Sequence, residues 1–370
     1  MSEKRKKVAI FFPFDADPDK VGIGGAERRL SAIVSHFDQQ KYDTTVIFLT
    51  HIPKPRMMDI LSTCFGYGKL VTCPNFREVS KLLLKEKFDV LLYTDCQVRN
   101  KPPVILAKLI GTKRILIIES TTNANEVFSK SFKHRFRKAM FKMNLALANR
   151  VDCLYPSATE KLTRKYPQRR FTATPCCLPQ LDEYLSADVE KEKIVFFAGR
   201  FSSGKNADLF VDAIALSKER LLENGYRVLL CGSGPLEEGL REQIERVGCK
   251  DLIEMPGYVD MRAITPKASI FCSLQFIENY PSQSLLEAIA SGCYCIITNF
   301  GDSHILAREP FGTLVEANAE SISDAINKGI DLINTDQEII RSAAIQFARD
   351  NFSMDKTIHY FEELVDEVTK

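Results

Sequence analysis

Short apolar runs separated by amphipathic stretches fill most of this 370-residue chain. In the first half the apolar runs predict strands at Lys7 to Phe12, Thr44 to Leu49, Val90 to Tyr93, Arg114 to Ile118 and Asp152 to Tyr155, with helical periodicity between several of them. A less regular, Pro-containing stretch from Thr174 to Asp188 interrupts this order, and the pattern restarts at Lys193 to Ala198. Further strands are predicted at Arg227 to Cys231, Leu252 to Met255, Ala268 to Ser273, Cys293 to Thr298 and Gly312 to Val315, and Ser342 to Thr369 reads as helix. Strand alternating with helix predicts an α/β fold made of two doubly wound, mainly parallel sheets. Ligands of such sheets bind beyond the carboxyl ends of the strands, so two facing sheets would enclose a cleft. The expected domains are 1–185, 186–345 and a helical segment, 346–370, packing back on the first domain.

Composition adds little until charge is divided along the chain. With 45% hydrophobic and 26% charged residues the sequence is ordinary for a globular protein, and no apolar run is long enough to span a bilayer. Met1 to Lys7 is basic but does not read as a secretion signal. The eleven cysteines form no CxxC pair, so no zinc site is expected; several lie in apolar runs, as reduced thiols in a cytoplasmic protein do. The net charge of +2 conceals an asymmetry: Met1 to Gln180 carries 32 Lys and Arg against 16 Asp and Glu, whereas Leu181 to Lys370 carries 18 against 32. The excess peaks in the acid-free stretch Val127 to Val151, where Phe132, Phe136, Met140, Met143 and Leu147 recur at helical spacing among Lys130, Lys133, Arg135, Arg137, Lys138 and Lys142. Such a basic amphipathic helix suits an anionic membrane surface, or is simply the solvated face of a docked helix.

Four stretches sit at the expected strand ends. Gly22 to Arg28 is glycine-rich and opens a helix, where Gly24 and Gly25 let backbone amides approach a phosphate; a structural turn is the alternative. It fails as a dinucleotide fingerprint, because Glu27 replaces the third glycine. Gly199 to Asn206 follows a strand and offers Arg200 and Lys205 to offset a diphosphate. It has P-loop spacing, but Asn206 stands where a magnesium-holding Ser or Thr belongs, so a P-loop nucleotidase ranks below phosphate binding without metal. Gly232 to Pro235 and Gly257 to Asp260 are strand-end turns that could contact a base, and ordinary turn chemistry accounts for either equally. Phe276 to Gly292 places Glu278 in a loop and Glu287 on a helix, where carboxylates can accept hydrogen bonds from sugar and ribose hydroxyls; a solvated helix residue is the alternative for Glu287.

Taken in series, GGAER, GRFSSGKN, GSGP, GYVD and ENYPSQSLLEAIASG resemble the retaining glycosyltransferases of family 4, which have the GT-B fold of two facing Rossmann-like domains. The resemblance covers nearly the whole chain. It implies a nucleoside-diphosphate sugar as co-substrate, with no cofactor and no metal. Gly24, Gly25, Arg200 and Lys205 would meet the donor diphosphate, Glu278 the donor sugar, Glu287 the ribose, Tyr258 and Val259 the base, and Ser282, Gln283 and Ser284 the sugar and phosphate. The two glutamates stand one position further apart than is usual in the family, which makes Asn279 a further sugar-side candidate. Relatives often carry a histidine where this chain has Glu119, so Glu119 is the acceptor-side candidate. The implied activity is retaining hexosyl transfer to a glycan or lipid-linked acceptor, without nucleic acid; the basic stretch Val127 to Val151 adds the expectation that this cytoplasmic protein can sit peripherally on the cytoplasmic membrane face. A nucleotide-sugar-binding partner subunit without turnover is the alternative. A glycoside hydrolase would also use two carboxylates but would need no phosphate site.

Overall fold

The computed structural model describes residues 4–13, 25–94, 101–119, 135–185, 189–277 and 280–370, residue 137 by its backbone alone. The chain divides into two compact units, Met1–Pro179 with Met354–Lys370, and Gln180–Ser353. The first unit contains β1 (Lys6–Phe12), α1 (Gly25–Ser35), β2 (Tyr42–Leu49), α2 (Lys54–Leu61), β3 (Lys69–Cys73), α3 (Phe76–Glu86), β4 (Val90–Thr94), α4 (Lys101–Leu109), β5 (Lys113–Ile118), α5 (Arg135–Leu147), β6 (Arg150–Cys153), α6 (Pro156–Lys165) and β7 (Phe171–Ala173). The second contains β8 (Ile194–Ala198), α7 (Ala207–Leu216), α8 (Lys218–Glu223), β9 (Arg227–Cys231), α9 (Glu237–Arg246), β10 (Ile253–Gly257), α10 (Met261–Ile264), β11 (Ile270–Ser273), α11 (Gln283–Ala290), β12 (Tyr294–Thr298), β13 (Gly312–Val315) and α12 (Ala319–Asn351). The chain then returns to the first unit as α13 (Met354–Thr369).

Each unit is a doubly wound parallel sheet of Rossmann type, with strand orders β3-β2-β1-β4-β5-β6-β7 and β10-β9-β8-β11-β12-β13. Every strand pair among the described residues is parallel. Helices cover both faces, and this is why the central strands are apolar at successive positions. In β1 the alternating side chains divide between two cores. Val8, Ile10 and Phe12 pack with Leu30 and Ile33 of α1 and with Phe361, Leu364 and Val365 of α13. Ala9 and Phe11 pack with Val79 and Leu83 of α3.

Polar contacts fix α13 on the first unit. The Asp366 carboxylate accepts from Lys6 at 2.7 Å and from the Tyr42 hydroxyl at 2.9 Å, and Glu362 accepts from the Asp38 amide at 2.6 Å. Tyr360 donates to Asp152, a fully buried carboxylate that also accepts from Thr172 and Thr174. Burial pushes the Asp152 pKa up, and the three hydroxyl donors counter it in part.

Several sequence expectations change. The unit boundary falls after Pro179 and not after 185, and the C-terminal return begins at Met354 and not at 346. The helix expected over Ser342 to Thr369 is instead the end of α12 and a separate α13, parted at Phe352 and Ser353. Two edge strands, β3 and β7, fall outside the expected set. On the basic helix, the described part buries Leu147 of the expected stripe and half-buries Met140 and Met143, but it adds Phe141, Asn144, Leu145 and Ala148 to the interior and leaves Phe136 63% exposed, so the buried face is turned partly round from the expected one. The cause is polar: Lys101 donates to the Asn144 side chain at 2.8 Å and the Tyr93 hydroxyl donates to the Asn144 carbonyl at 3.1 Å, which fixes the rotation of the helix. Phe132 lies outside the described residues.

Candidate functional site

In the second unit β8 lies between β9 and β11, so strand order reverses between β8 and β11. A doubly wound sheet opens a ligand crevice beyond the carboxyl ends of its strands at such a reversal. The loop after β8 carries Arg200 and Lys205, and the loop after β11 leads into α11. The two loops are joined directly. The Phe276 amide donates to the Gly204 carbonyl at 3.1 Å, and the Asn206 side chain donates to the Leu274 carbonyl at 2.6 Å. Asn206 takes a left-handed conformation, φ 56°, which asparagine tolerates better than most residues. Its place is therefore that of a loop fastener, which accounts for it without any metal-holding role.

The same loop rests on the turn after β9. The Phe201 amide donates to the Ser233 carbonyl at 2.9 Å and the Leu236 amide to the Phe201 carbonyl at 3.2 Å. A Cβ at Gly232 would lie 1.9 Å from the Gly199 carbonyl oxygen, and one at Gly234 would lie 2.4 Å from that of Phe201. Only glycine fits both positions, so the GSGP turn supports the Arg200 loop; a contact with a base is not needed to explain it.

Within this frame Arg200 is exposed. Lys205 is half-buried and donates to the Gln275 side-chain oxygen at 3.3 Å. Burial lowers the Lys205 pKa. The Gln275 backbone is itself held, its carbonyl accepting from the Thr298 hydroxyl at 2.6 Å. Ser282 is buried at the start of α11 and its carbonyl takes the Leu285 and Leu286 amides, with Ser282 and Ser284 hydroxyls 3.2 Å apart. Gln283 and Ser284 are part-exposed in the first turn, and Glu287 lies one turn further on. The Glu287 carboxylate accepts from the buried Tyr184 hydroxyl at 3.2 Å. Burial and the Glu287 charge push the Tyr184 pKa above its usual value.

Tyr258, after β10, is 85% exposed, an unusual setting for a large aromatic ring, and Val259 beside it is part-exposed. Glu278, Asn279 and Gly24 lie outside the described residues. Gly25 is the exposed first residue of α1. Glu119, beyond β5, forms a buried ion pair with Arg29 of α1 at 2.6 Å. Burial alone would lower the Arg29 pKa, but Glu119 and its neighbours pull it above the ordinary value.

Among the described residues no group of three or more His, Cys, Asp or Glu could hold a metal ion, and no helix is long and apolar enough to cross a membrane. Nine of the ten described cysteines are buried, and burial pushes the Cys177 thiol up to about 11. The sequence did not single out Gln275 or Tyr184. Gln275 offered one signal, its place directly after a strand in the loop that bears Glu278.

Residues 186–346 match the family described as glycosyl transferases group 1. A relative from Campylobacter jejuni subsp. jejuni serotype O:2, named GalNAc-alpha-(1->4)-GalNAc-alpha-(1->3)-diNAcBac-PP-undecaprenol alpha-1,4-N-acetyl-D-galactosaminyltransferase, is 25% identical over 235 residues, taking in 63% of this chain and 62% of its own length. The chain thus spans less than two thirds of the length of the curated relatives it matches. Among solved structures, a glycosyltransferase from Rickettsia africae ESF-5 aligns over 100% of both chains with a TM-score of 0.75 at 16% identity. HepE from Anabaena, in complex with UDP and glucose, aligns over 98% of this chain and 100% of its own with a TM-score of 0.71 at 12% identity. The expected fold, two Rossmann-like domains of the GT-B class, is the observed one.

Proposed function

We propose that this chain, with its group 1 glycosyltransferase domain, moves a sugar from a nucleoside diphosphate to a glycan or lipid-linked acceptor, with retention of configuration and without a metal. The observation that carries the proposal is the joining of the loops after β8 and β11 across the strand-order reversal, with Lys205 hydrogen-bonded to Gln275. Two cations, Arg200 and Lys205, then balance a diphosphate as its bond to the sugar breaks. Glu287 accepts from the ribose, Tyr258 and Val259 take the base, and the start of α11 at Ser282, Gln283 and Ser284 meets sugar and phosphate. Glu278 and Asn279 orient the donor sugar, Gly24 and Gly25 contribute amides to the diphosphate, and Glu119 belongs to the acceptor side.

In this mechanism the anomeric carbon parts from the diphosphate oxygen through an oxocarbenium-like transition state. The acceptor oxygen bonds to the same face, and its proton passes to the departing phosphate, so no separate base is required. The UDP bound by Anabaena HepE and the undecaprenol-linked acceptor in the name of the Campylobacter relative favour a uridine nucleotide and a lipid-linked acceptor.

A peripheral seat on an anionic, cytoplasmic membrane face belongs to the same proposal. Lys165 on α6 is exposed, and slight desolvation together with the charges of Lys138 and Lys142 on α5 lowers its pKa, so ammonium groups from two helices repel one another here. Exposed Phe136 stands on the same helix as Lys138 and Lys142. The test is acceptor-dependent release of nucleoside diphosphate by the purified chain, assayed with UDP- and GDP-sugars and a lipid-linked glycan. Binding without release would identify a partner subunit in place of an enzyme.

A further inference from the structure

Tyr184 lies in no motif, yet its hydroxyl donates to the carboxylate assigned to the donor ribose, Glu287, at 3.2 Å from a buried position. The segment that delivers it is held by its own turn and by one ion pair. A single turn of 3-10 helix, Leu181–Glu183, ends on the Tyr184 amide, which donates to the Leu181 carbonyl at 3.0 Å. Glu183 accepts from Arg262 at 2.8 Å, and the same guanidinium donates to Asp260 at 2.7 Å. Asp260 caps α10 by accepting the Arg262 amide at 3.0 Å, two residues beyond Tyr258. The chain from Glu183 to Tyr184 therefore connects the loop bearing the exposed Tyr258 ring to the helix bearing Glu287.

A glutamate side chain turns about three bonds, and a carboxylate that must accept from a ribose gains affinity when its rotamer is fixed beforehand. A donor to one oxygen fixes it. Resting on the ribose assignment of Glu287, we infer that Tyr184 is a positioning residue of the donor site, orienting Glu287 toward the ribose hydroxyls, with Arg262 holding the turn that presents it.

The test is calorimetric titration with UDP and GDP, and with the 2′,3′-dideoxy form of whichever binds, of the native chain, Tyr184→Phe, Glu287→Gln and the double variant. Tyr184→Phe keeps the ring, so its packing is preserved. The expected result is a roughly tenfold weaker affinity of Tyr184→Phe for the ribonucleotide, no change for the dideoxy form, and a double variant no weaker than Glu287→Gln. Weaker binding by Glu287→Gln together with native affinity in Tyr184→Phe would overturn the inference, as would additive losses or an equal loss for the dideoxy form. Native ribonucleotide affinity in Glu287→Gln would instead overturn the ribose assignment itself, and the inference with it.

Discussion

The ammonium of Lys205 leaves its own loop and donates to the side-chain oxygen of Gln275, 3.3 Å away on the loop after β11. A bound phosphate would replace this neutral partner with a charged one. Lys205→Ala is expected to weaken nucleoside diphosphate binding by at least roughly tenfold, the scale of one charge-assisted hydrogen bond. Because burial lowers the Lys205 pKa, the charge is lost at a lower pH than in an ordinary lysine. Donor affinity should therefore fall as pH rises through that lowered value. The same group should make the ligand-free protein more stable over that window, since the unfolded chain there binds more protons. Titration calorimetry and thermal unfolding against pH read the two opposite slopes, and native affinity in the variant would remove Lys205 from the site.

Glu278→Gln is expected to lower kcat by about a hundredfold, as misplacement of a reacting group does, while leaving nucleoside diphosphate affinity near native. Steady-state kinetics set beside direct binding separates the two effects. An unchanged kcat would return the loop after β11 to a purely structural role.

The product should keep the anomeric configuration of the donor, and EDTA should leave the initial rate largely intact. Proton NMR of the first product formed and a rate assay with and without chelator check both points. Inversion would rule out a same-face transfer, and a strict Mg²⁺ requirement would favour the P-loop reading of the loop after β8.

Anionic vesicles should sediment the protein and neutral ones should not, with binding falling as salt rises, since each basic residue near an anionic surface contributes about 1 kcal/mol. Changing Lys138, Lys142 and Lys165 to Glu should abolish it. Phe136→Ser should weaken it without altering its salt dependence. Equal, negligible sedimentation with both vesicle types would show that the cluster is an ordinary solvated face.

The Arg29 and Glu119 pair is a different kind of interaction, 2.6 Å long and almost wholly removed from solvent. Arg29→Met leaves a buried carboxylate without its guanidinium, which costs about 3–5 kcal/mol. A lowered denaturant midpoint with an unchanged slope is the expected readout. Native stability in this variant would show that the pair contributes nothing to the fold.

How far the chain could be read without coordinates follows from where each contact lies. The central strands were legible because helices bury them on both faces, so apolar residues run on without interruption. β3 and β7 were not: β3 buries two of its five side chains fully and β7 none of its three, so neither produces a dense apolar signal. Arg200 and Lys205 stood out because a cation in a glycine-bounded loop after a strand has few other uses. Their fasteners did not stand out, since Gln275, Leu274 and the Tyr184 to Glu287 bond join positions 70, 68 and 103 residues apart. The rotation of α5 was hidden for the same reason, because two apolar stripes fit its periodicity and contacts from Lys101 and Tyr93 choose between them.

The return of α13 to the first unit sets an order of events during translation. Asp152 leaves the ribosome 208 residues before Tyr360, the hydroxyl that helps to hold it. Until then the apolar surface awaiting Phe361, Leu364 and Val365 stays uncovered. Meanwhile Gln180–Ser353, a contiguous stretch with its own sheet, can be completed without waiting for later residues. The half of the protein synthesised first is thus the half finished last, and its stay in an incomplete form lasts as long as the ribosome takes to cross the other unit.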